Sequence, residues 1–419
     1  MPSLVENFWK IFPENLIQLK LRGSYGATGN ISGLGFYQAQ GQYSTGTRYS
    51  GNPGIQITTL PNQDLKWEQS KTLDFGTDIG LLNNRLGIAF DVYRRVTDNL
   101  LTTLSLPPSA GFSSILTNYG SLENKGIEVE VSAQVLPSSS AFQWTISANV
   151  ANVHTKILKL PANGIPNNRV GGVNVWDAKT KSYQWKGGLQ EGGSIGDLYG
   201  FKQLSIYPTD ADAAAGPVDM LVPRPVKTKY GGDVNWLDAD KNDTIDTRDQ
   251  VYMGNPYPHL TGGFSNSFSY KNISLYVRMD YTIGAHIYYE TGARLEGQFS
   301  GANALSTDLL KSWKKQGDIT DVPRYYFADQ NGQWNVWDGR RSSRFFPSLD
   351  FLCVRELTLS YNLPQALLKR VKITDARLNV TGNNLHYFTK YPGLNPEATG
   401  TYYGYPNPMS LIFGLSITF

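Results

Sequence analysis

Apolar residues in this chain return at every second position, run after run. In GIEVEVSAQV, Ile127, Val129, Val131, Ala133 and Val135 alternate with Glu128, Glu130, Ser132 and Gln134. In ISLYVRMDY, Ile273, Leu275, Val277, Met279 and Tyr281 alternate with Ser274, Tyr276, Arg278 and Asp280. Period two gathers the apolar side chains on one face of an extended strand, whereas a helix would scatter them. LIQLKLRG, TLDFGTDIGL, RLGIAFDVY and QWTISANV obey the same rule, and LTGGFSNSFSY, CVRELTLSY, RLNV and the closing SLIFGLSITF obey it less strictly. Ten strands are expected, and the fold class is all-β.

Composition agrees and removes some functions. Charged residues make up only 17% of the 419, while Gly (42) and Tyr (25) are abundant, a mix that favours short strands and turns over helices. The net charge of +3 and the lack of any basic run longer than a pair argue against a nucleic-acid partner. The single cysteine, Cys353, excludes an internal disulfide framework and any CxxC site. No apolar run approaches the roughly 18 residues of a membrane helix, and MPSLVENFWKIFPENL lacks the pattern of a secretory signal. Alone, these two absences would suit a cytoplasmic soluble protein, or a piece of a larger secreted chain.

The links between strands are sorted by length. Leu82 to Arg85, Pro137 to Ala141 and Tyr270 to Asn272 are tight, whereas 30–66, 101–120, 157–258, 285–349 and 388–408 are long and rich in Gly, Asn, Pro and aromatics. A soluble sandwich has no reason to sort its links this way. A transmembrane barrel has one, with short periplasmic turns and long external loops. Tyr270, Tyr281, Tyr361 and Tyr387 fall at strand ends, where an interfacial girdle would stand. The expected architecture is an antiparallel transmembrane β-barrel, with Val129, Val131, Leu275 and Val277 facing lipid and Glu128, Glu130, Arg278 and Asp280 facing a wet lumen.

Six blocks also carry a resemblance: LIQLKLRGSYGATGN; WEQSKTLDFGTDIGLLNNRLGIAFDVYRRVTDNLL; NYGSLENKGIEVEVSAQV; VYMGNPYPHLTGGFSNSFSYKNISLYV; FLCVRELTLSYNLPQALLKRVKITDARLNVTGNNLHYFTKYPGLNPE; and SLIFGLSITF. In this order, and over nearly the whole chain, they resemble the SusC-like, or RagA-like, TonB-linked outer-membrane transporters of Bacteroidota. The resemblance implies a barrel of about 22 strands around an internal plug. It further implies a SusD-like lipoprotein cap, energy supplied through TonB, and import of oligosaccharides or peptides across the outer membrane. Residues 1–419 would be the carboxy-terminal part of such a barrel, because the family's signal peptide, TonB-contacting segment, plug and early strands have no counterpart here.

The ending gains a meaning from this. Most domains finish in a frayed polar tail, but here Phe413, Leu415, Ile417 and Phe419 line one side of the last strand. The pattern resembles the carboxy-terminal signal read by the outer-membrane barrel assembly machinery. Such a strand must also pair, because an open edge in lipid leaves backbone groups unsatisfied.

One constellation points to specific chemistry. In DADKNDTIDTRD, Asp238, Asp240, Asn242, Thr244, Asp246 and Asp249 stand at positions 1, 3, 5, 7, 9 and 12 of an EF-hand-type loop, which offers hard oxygen ligands to Ca²⁺. Ile245 fits the apolar position 8, but Asp243 replaces the usual Gly, and Asp249 is shorter than the usual Glu. The alternative is an acidic turn held by its own Asx hydrogen bonds. The loop, 238–249, lies within the long external region 157–258.

Other motifs fail on context. GGSIG, Gly192 to Gly196, spells a nucleophile elbow but lacks the strand before and helix after. His154, His259, His286 and His386 are scattered, and no carboxylate pair of a glycoside hydrolase can be picked out. No enzymatic activity is expected. Trp176, Trp185, Trp334, Trp337, Tyr402, Tyr403 and Tyr405 fall in the external segments, as candidates for contact with substrate or cap. Two functions are weighed: part of a TonB-dependent importer, with outer-membrane lipid, the assembly machinery, a SusD-like lipoprotein and TonB as partners, or a soluble secreted β-rich carbohydrate-binding module.

Overall fold

The computed structural model of the protein describes residues 17–222, 228–296, 306–324, 340–398 and 405–419. Ten long strands form one sheet in which neighbours in sequence are hydrogen-bonded neighbours. They are β1 (Ile17–Asn30), β2 (Glu68–Leu81), β3 (Leu86–Ser105), β4 (Ser114–Gln134), β5 (Phe142–Lys159), β6 (Leu260–Tyr270), β7 (Ile273–Ile283), β8 (Phe351–Asn362), β9 (Asp375–Thr389) and β10 (Ser410–Thr418). β1 to β4 pair antiparallel, as do β6 to β10. The ten expected strands are the ten observed. Among the described residues, no helix is long and apolar enough to cross a membrane, which leaves a β-barrel untouched.

Two compact units divide the chain. One takes Met1–Ala133, Asn149–Val170 and Leu189–Ile195; the other takes Gln134–Ala148, Gly171–Gly188 and Gly196–Phe419.

In the first unit the register carries the alternation across strands. Leu19 pairs with Ile79, Ile79 with Ile88 and Ile88 with Val131. Two residues along, Leu21, Thr77, Phe90 and Val129 form the next row. Between these rows the opposite face carries charge: Arg22 of β1 reaches Asp78 of β2 at 2.9 Å and Asp91 of β3 at 3.0 Å.

The second unit repeats the arrangement. Phe268, Leu275, Leu359, Val380 and Phe413 form one apolar row, and Tyr270, Ile273, Tyr361, Leu378 and Leu415 the next. Phe142 and Trp144 of β5 stack on Phe268, at ring separations of 6.2 and 5.8 Å. The Trp144 indole N–H donates to Asn266, 3.0 Å away, so its one polar atom is satisfied on an apolar face. With Tyr270 and Tyr361, these rings form a girdle beside the tight turn Lys271–Asn272.

Two expectations need correction. Tyr387 does not join the girdle: its hydroxyl turns to the polar face and bonds Glu397. The long link at 101–120 shrinks to 106–113, because β3 and β4 run on for 20 and 21 residues. That is about twice the 9 to 11 residues that cross a bilayer. Beyond the bilayer both faces are wet, so the alternation fades there although the ladder continues.

The tight turns follow from local chemistry. Asn83 and Asn84, which tolerate the left-handed region better than most residues, take φ of 57° and 61° between β2 and β3. The long links at the other end have their own cores. Phe201, Ile206, Val234, Trp236 and Ile245 cluster at 2–6% exposure, with Leu221 and Trp313 packed on them. Ala285, Leu349 and Tyr391 form a second cluster at the feet of the links after β7 and β9.

Candidate functional site

The acidic loop is built around that first core. Ile245 anchors it, and Thr244–Ile245 lies parallel to Val218–Asp219. Asp219 in turn is ion-paired with Arg340 at 2.9 Å, both side chains nearly inaccessible, and the Arg340 guanidinium lies 5.2 Å from the centre of the Trp236 ring. A buried pair of this kind holds two distant segments in one place, since removing either charge leaves the other stranded.

Within the loop, one carboxylate oxygen each from Asp238, Asp240 and Asp249 come within 4.8 Å of one another. Asp243, in the slot usually held by Gly, takes φ of 61°, the conformation that position requires. The Asp238 carboxylate accepts from the Lys241 and Asp243 amides at 2.7 Å, and Asn242 Oδ1 accepts from the Thr244 amide at 2.8 Å. Asp249 is 1% exposed and accepts from the Ala239 and Asp246 amides at 2.9 and 2.7 Å. Burial pushes the Asp249 carboxyl above its ordinary value. Asp246 is drawn to Arg248, whose guanidinium holds its carboxyl below the usual range. The loop thus gathers three of its four candidate aspartates. Their oxygens suit a hard cation such as Ca²⁺.

An aromatic face stands beside it. In the hairpin of Val173–Asp177 and Ser182–Lys186, Asn174 pairs with Trp185 and Trp176 with Tyr183, so these four share one side. Trp176 and Tyr183 meet edge to face at 5.3 Å. The Tyr183 hydroxyl donates to Asp240, and the Arg248 guanidinium lies 4.8 Å from the centre of its ring. Trp176 and Trp185 are thus brought together, joined by Tyr183, which sequence reasoning missed. The alternation in SYQWK could have found it. Tyr405 is largely exposed. Trp334, Trp337, Tyr402 and Tyr403 lie outside the described residues.

On the polar face of the wall, a cluster that sequence reasoning also missed surrounds Arg355. This residue is inserted as a β-bulge: Arg278 pairs with Glu356 and Met279 with Val354, leaving Arg355 opposite nothing. Its guanidinium reaches Asp280 at 2.7 Å and Glu397 at 2.8 Å, tying β7 and β8 to the link before β10. The two adjacent charges of CVRELTLSY were the available signal. At the end of the chain, Phe413, Leu415, Ile417 and Phe419 are all solvent-exposed, and Phe419 lies just past β10.

A sheet apolar on one face and charged on the other, with tight turns at one end and structured loops at the other, defines the class of outer-membrane β-barrels. The family model described as TonB dependent receptor-like, beta-barrel, matches residues 7–219. TonB-dependent receptor P3 of Formosa agariphila is 31% identical over 98% of this chain and 41% of its own length. TonB-dependent receptor SusC of Bacteroides thetaiotaomicron is 26% identical over 100% of this chain and 40% of its own. The solved structure of the RagAB peptide transporter superposes with a TM-score of 0.76 at 26% identity, over 98% of this chain and 42% of that one. The chain belongs to the TonB-dependent receptor β-barrel family and is an outer-membrane protein. It spans about two fifths of the length of these relatives.

Proposed function

We propose that the chain forms the carboxy-terminal part of the wall and external loops of a TonB-dependent importer of oligosaccharides or peptides, working with a SusD-like surface lipoprotein. The observation that carries this reading is the agreement of the fold, at a TM-score of 0.76 over 98% of the chain, with the structure of the RagAB peptide transporter. The relative described as TonB-dependent receptor SusC supports the TonB-dependent side of the same reading. The protein does no covalent chemistry in this reading. Arg355, Asp280 and Glu397 line the lumen, while Trp176, Tyr183 and Trp185 offer ring faces to substrate or cap. Asp238, Asp240 and Asp249 hold Ca²⁺, which stiffens the external region 157–258. Phe413, Leu415, Ile417 and Phe419 serve recognition by the assembly machinery.

The test is uptake. A strain lacking the intact protein should lose import of at least one labelled oligosaccharide or peptide, and regain it from a plasmid copy only while TonB is present. Pull-down of the intact protein should bring a surface lipoprotein with it. Unchanged uptake across both ligand classes would remove the reading.

A further inference from the structure

The apolar rows of the first unit stop abruptly. Along β3 the lipid-facing positions read Leu86, Ile88, Phe90, Val92 and then Arg94; along β4 they read Ala133, Val131, Val129, Ile127 and then Lys125. Arg94 pairs directly with Lys125, and Lys71 stands one row further toward the long-loop end of β2. From the tight turn at Leu82–Arg85 to Arg94 the strand covers the 9 to 11 residues of a bilayer crossing. These cations therefore stand at headgroup level, on the side of the long loops.

Their fixing is unusual. Glu123, 7% exposed, lies beneath both cations, bonded to Arg94 and 2.9 Å from Lys125, while the Arg94 and Lys125 side chains remain 55% and 59% exposed. One buried carboxylate thus holds two like charges side by side and presents their outer N–H groups to the membrane surface. Lys71 pairs with Asp98 at 3.2 Å on the same face. Three cations face two anions in this band. An exposed ion pair in water is worth little, so this arrangement has no clear reason if its only task is to stabilise the strands.

We propose that Lys71, Arg94 and Lys125 bind the phosphate of a phosphorylated glycolipid headgroup in the leaflet that the long loops enter. Adjacent guanidinium and ammonium groups suit a phosphate, the first through paired N–H donors and the second as a point charge. The apolar rows directly below supply the surface for the acyl chains. The site rests on the outer-membrane placement of the fold and adds a specific lipid contact to it.

The experiment uses the intact protein purified in detergent and titrated with diphosphoryl lipid A. The Arg94→Gln, Lys125→Gln double variant should bind roughly 30-fold more weakly, the loss of two surface charges at about 1 kcal/mol each. Arg95→Gln, which removes a charge on the opposite face of the same strand, should bind as the parent does. Dephosphorylated lipid A should bind all three equally weakly. Equal binding by the double variant and the parent, or an equal loss in Arg95→Gln, would overturn the proposal. Heat-modifiable gel mobility confirms that each variant is folded, and a protein that stayed soluble without detergent would instead overturn the membrane placement.

Discussion

Leu21, Phe75 and Phe413 in the wall are 77%, 60% and 76% exposed, while Phe201, Val234 and Trp236 in the external loops are 2–6% exposed. The same class of side chain meets opposite surroundings in the two regions. The loops solve the ordinary problem of a water-soluble domain and bury their apolar groups against one another, at about 25 cal/mol per Å² removed from water. The wall leaves long apolar rows uncovered, a kind of surface that soluble monomers rarely expose. Its backbone is paired strand to strand, so the rows can face hydrocarbon directly. One chain therefore contains two solvents' worth of folding logic, divided at the ends of the strands.

The comparison can be broken most severely in the loops. Trp236→Ala should cost about 3–5 kcal/mol, because it empties the centre of the cluster that carries Ile245 and supports Arg340. Limited proteolysis should then cut within 160–259 while the barrel keeps its heat-modifiable mobility. Intact loops in that variant would mean that the cluster does not hold the region together.

A change of one residue in phase sharpens the wall side. Val131→Arg, on the apolar row, should cost roughly 2–4 kcal/mol of stability in vesicles near mid-membrane. Ser132→Arg, on the opposite face of β4, should cost much less. Urea titration of the intact protein in lipid vesicles gives both values, and equal costs would argue that neither face meets lipid.

The smallest expected effect concerns the acidic loop. Without cation, the raised Asp249 carboxyl favours the folded loop while it is protonated, and that contribution is lost as pH rises through its folded value, above the ordinary 3.8. Asp246, lowered by Arg248, works the other way, stabilising at higher pH and losing that effect as pH falls through its folded value. Ca²⁺ needs Asp249 ionised, so calcium affinity should fall as pH is lowered toward that carboxyl's range. Calorimetric titration at several pH values should show this in the parent and no binding in an Asp238→Ala, Asp240→Ala double variant. A parent that takes up no calcium at millimolar concentration would leave the stretch as a hydrogen-bonded turn.

How far the sequence could be read divides along the same line as the two solvents. Rows such as Leu19, Ile79, Ile88 and Val131 were legible because lipid on one side and water on the other write a period of two into each strand. Above the bilayer that contrast disappears, so the extra length of β3 and β4 was not visible. The loop core was hidden for a different reason. Phe201, Val234 and Ile245 come from short segments with no period, and Asp219 meets Arg340 across 121 positions of chain. In the acidic loop, spacing alone suggested six ligand positions. It could not show that Arg248 would take Asp246 aside while Asp238, Asp240 and Asp249 converged.

The bulge at Arg355 has a consequence for how this wall can change length. Before it, the outward residues of β8 are even-numbered, Leu352 and Val354; after it they are odd-numbered, Leu357, Leu359 and Tyr361. The extra residue works like a frameshift already absorbed. Loss of Arg355 alone would shorten the strand by one and keep both halves correctly faced. Loss of Glu356 would do the same, with Arg355 taking its inward place, whereas loss of any single residue from Leu357 to Tyr361 would turn the segment between the bulge and the gap inside out, with glutamate or threonine aimed at hydrocarbon. Deletions along this strand should thus be tolerated at Arg355 or Glu356 and rejected beyond them, so that the bulge doubles as the place where the wall's length can be edited.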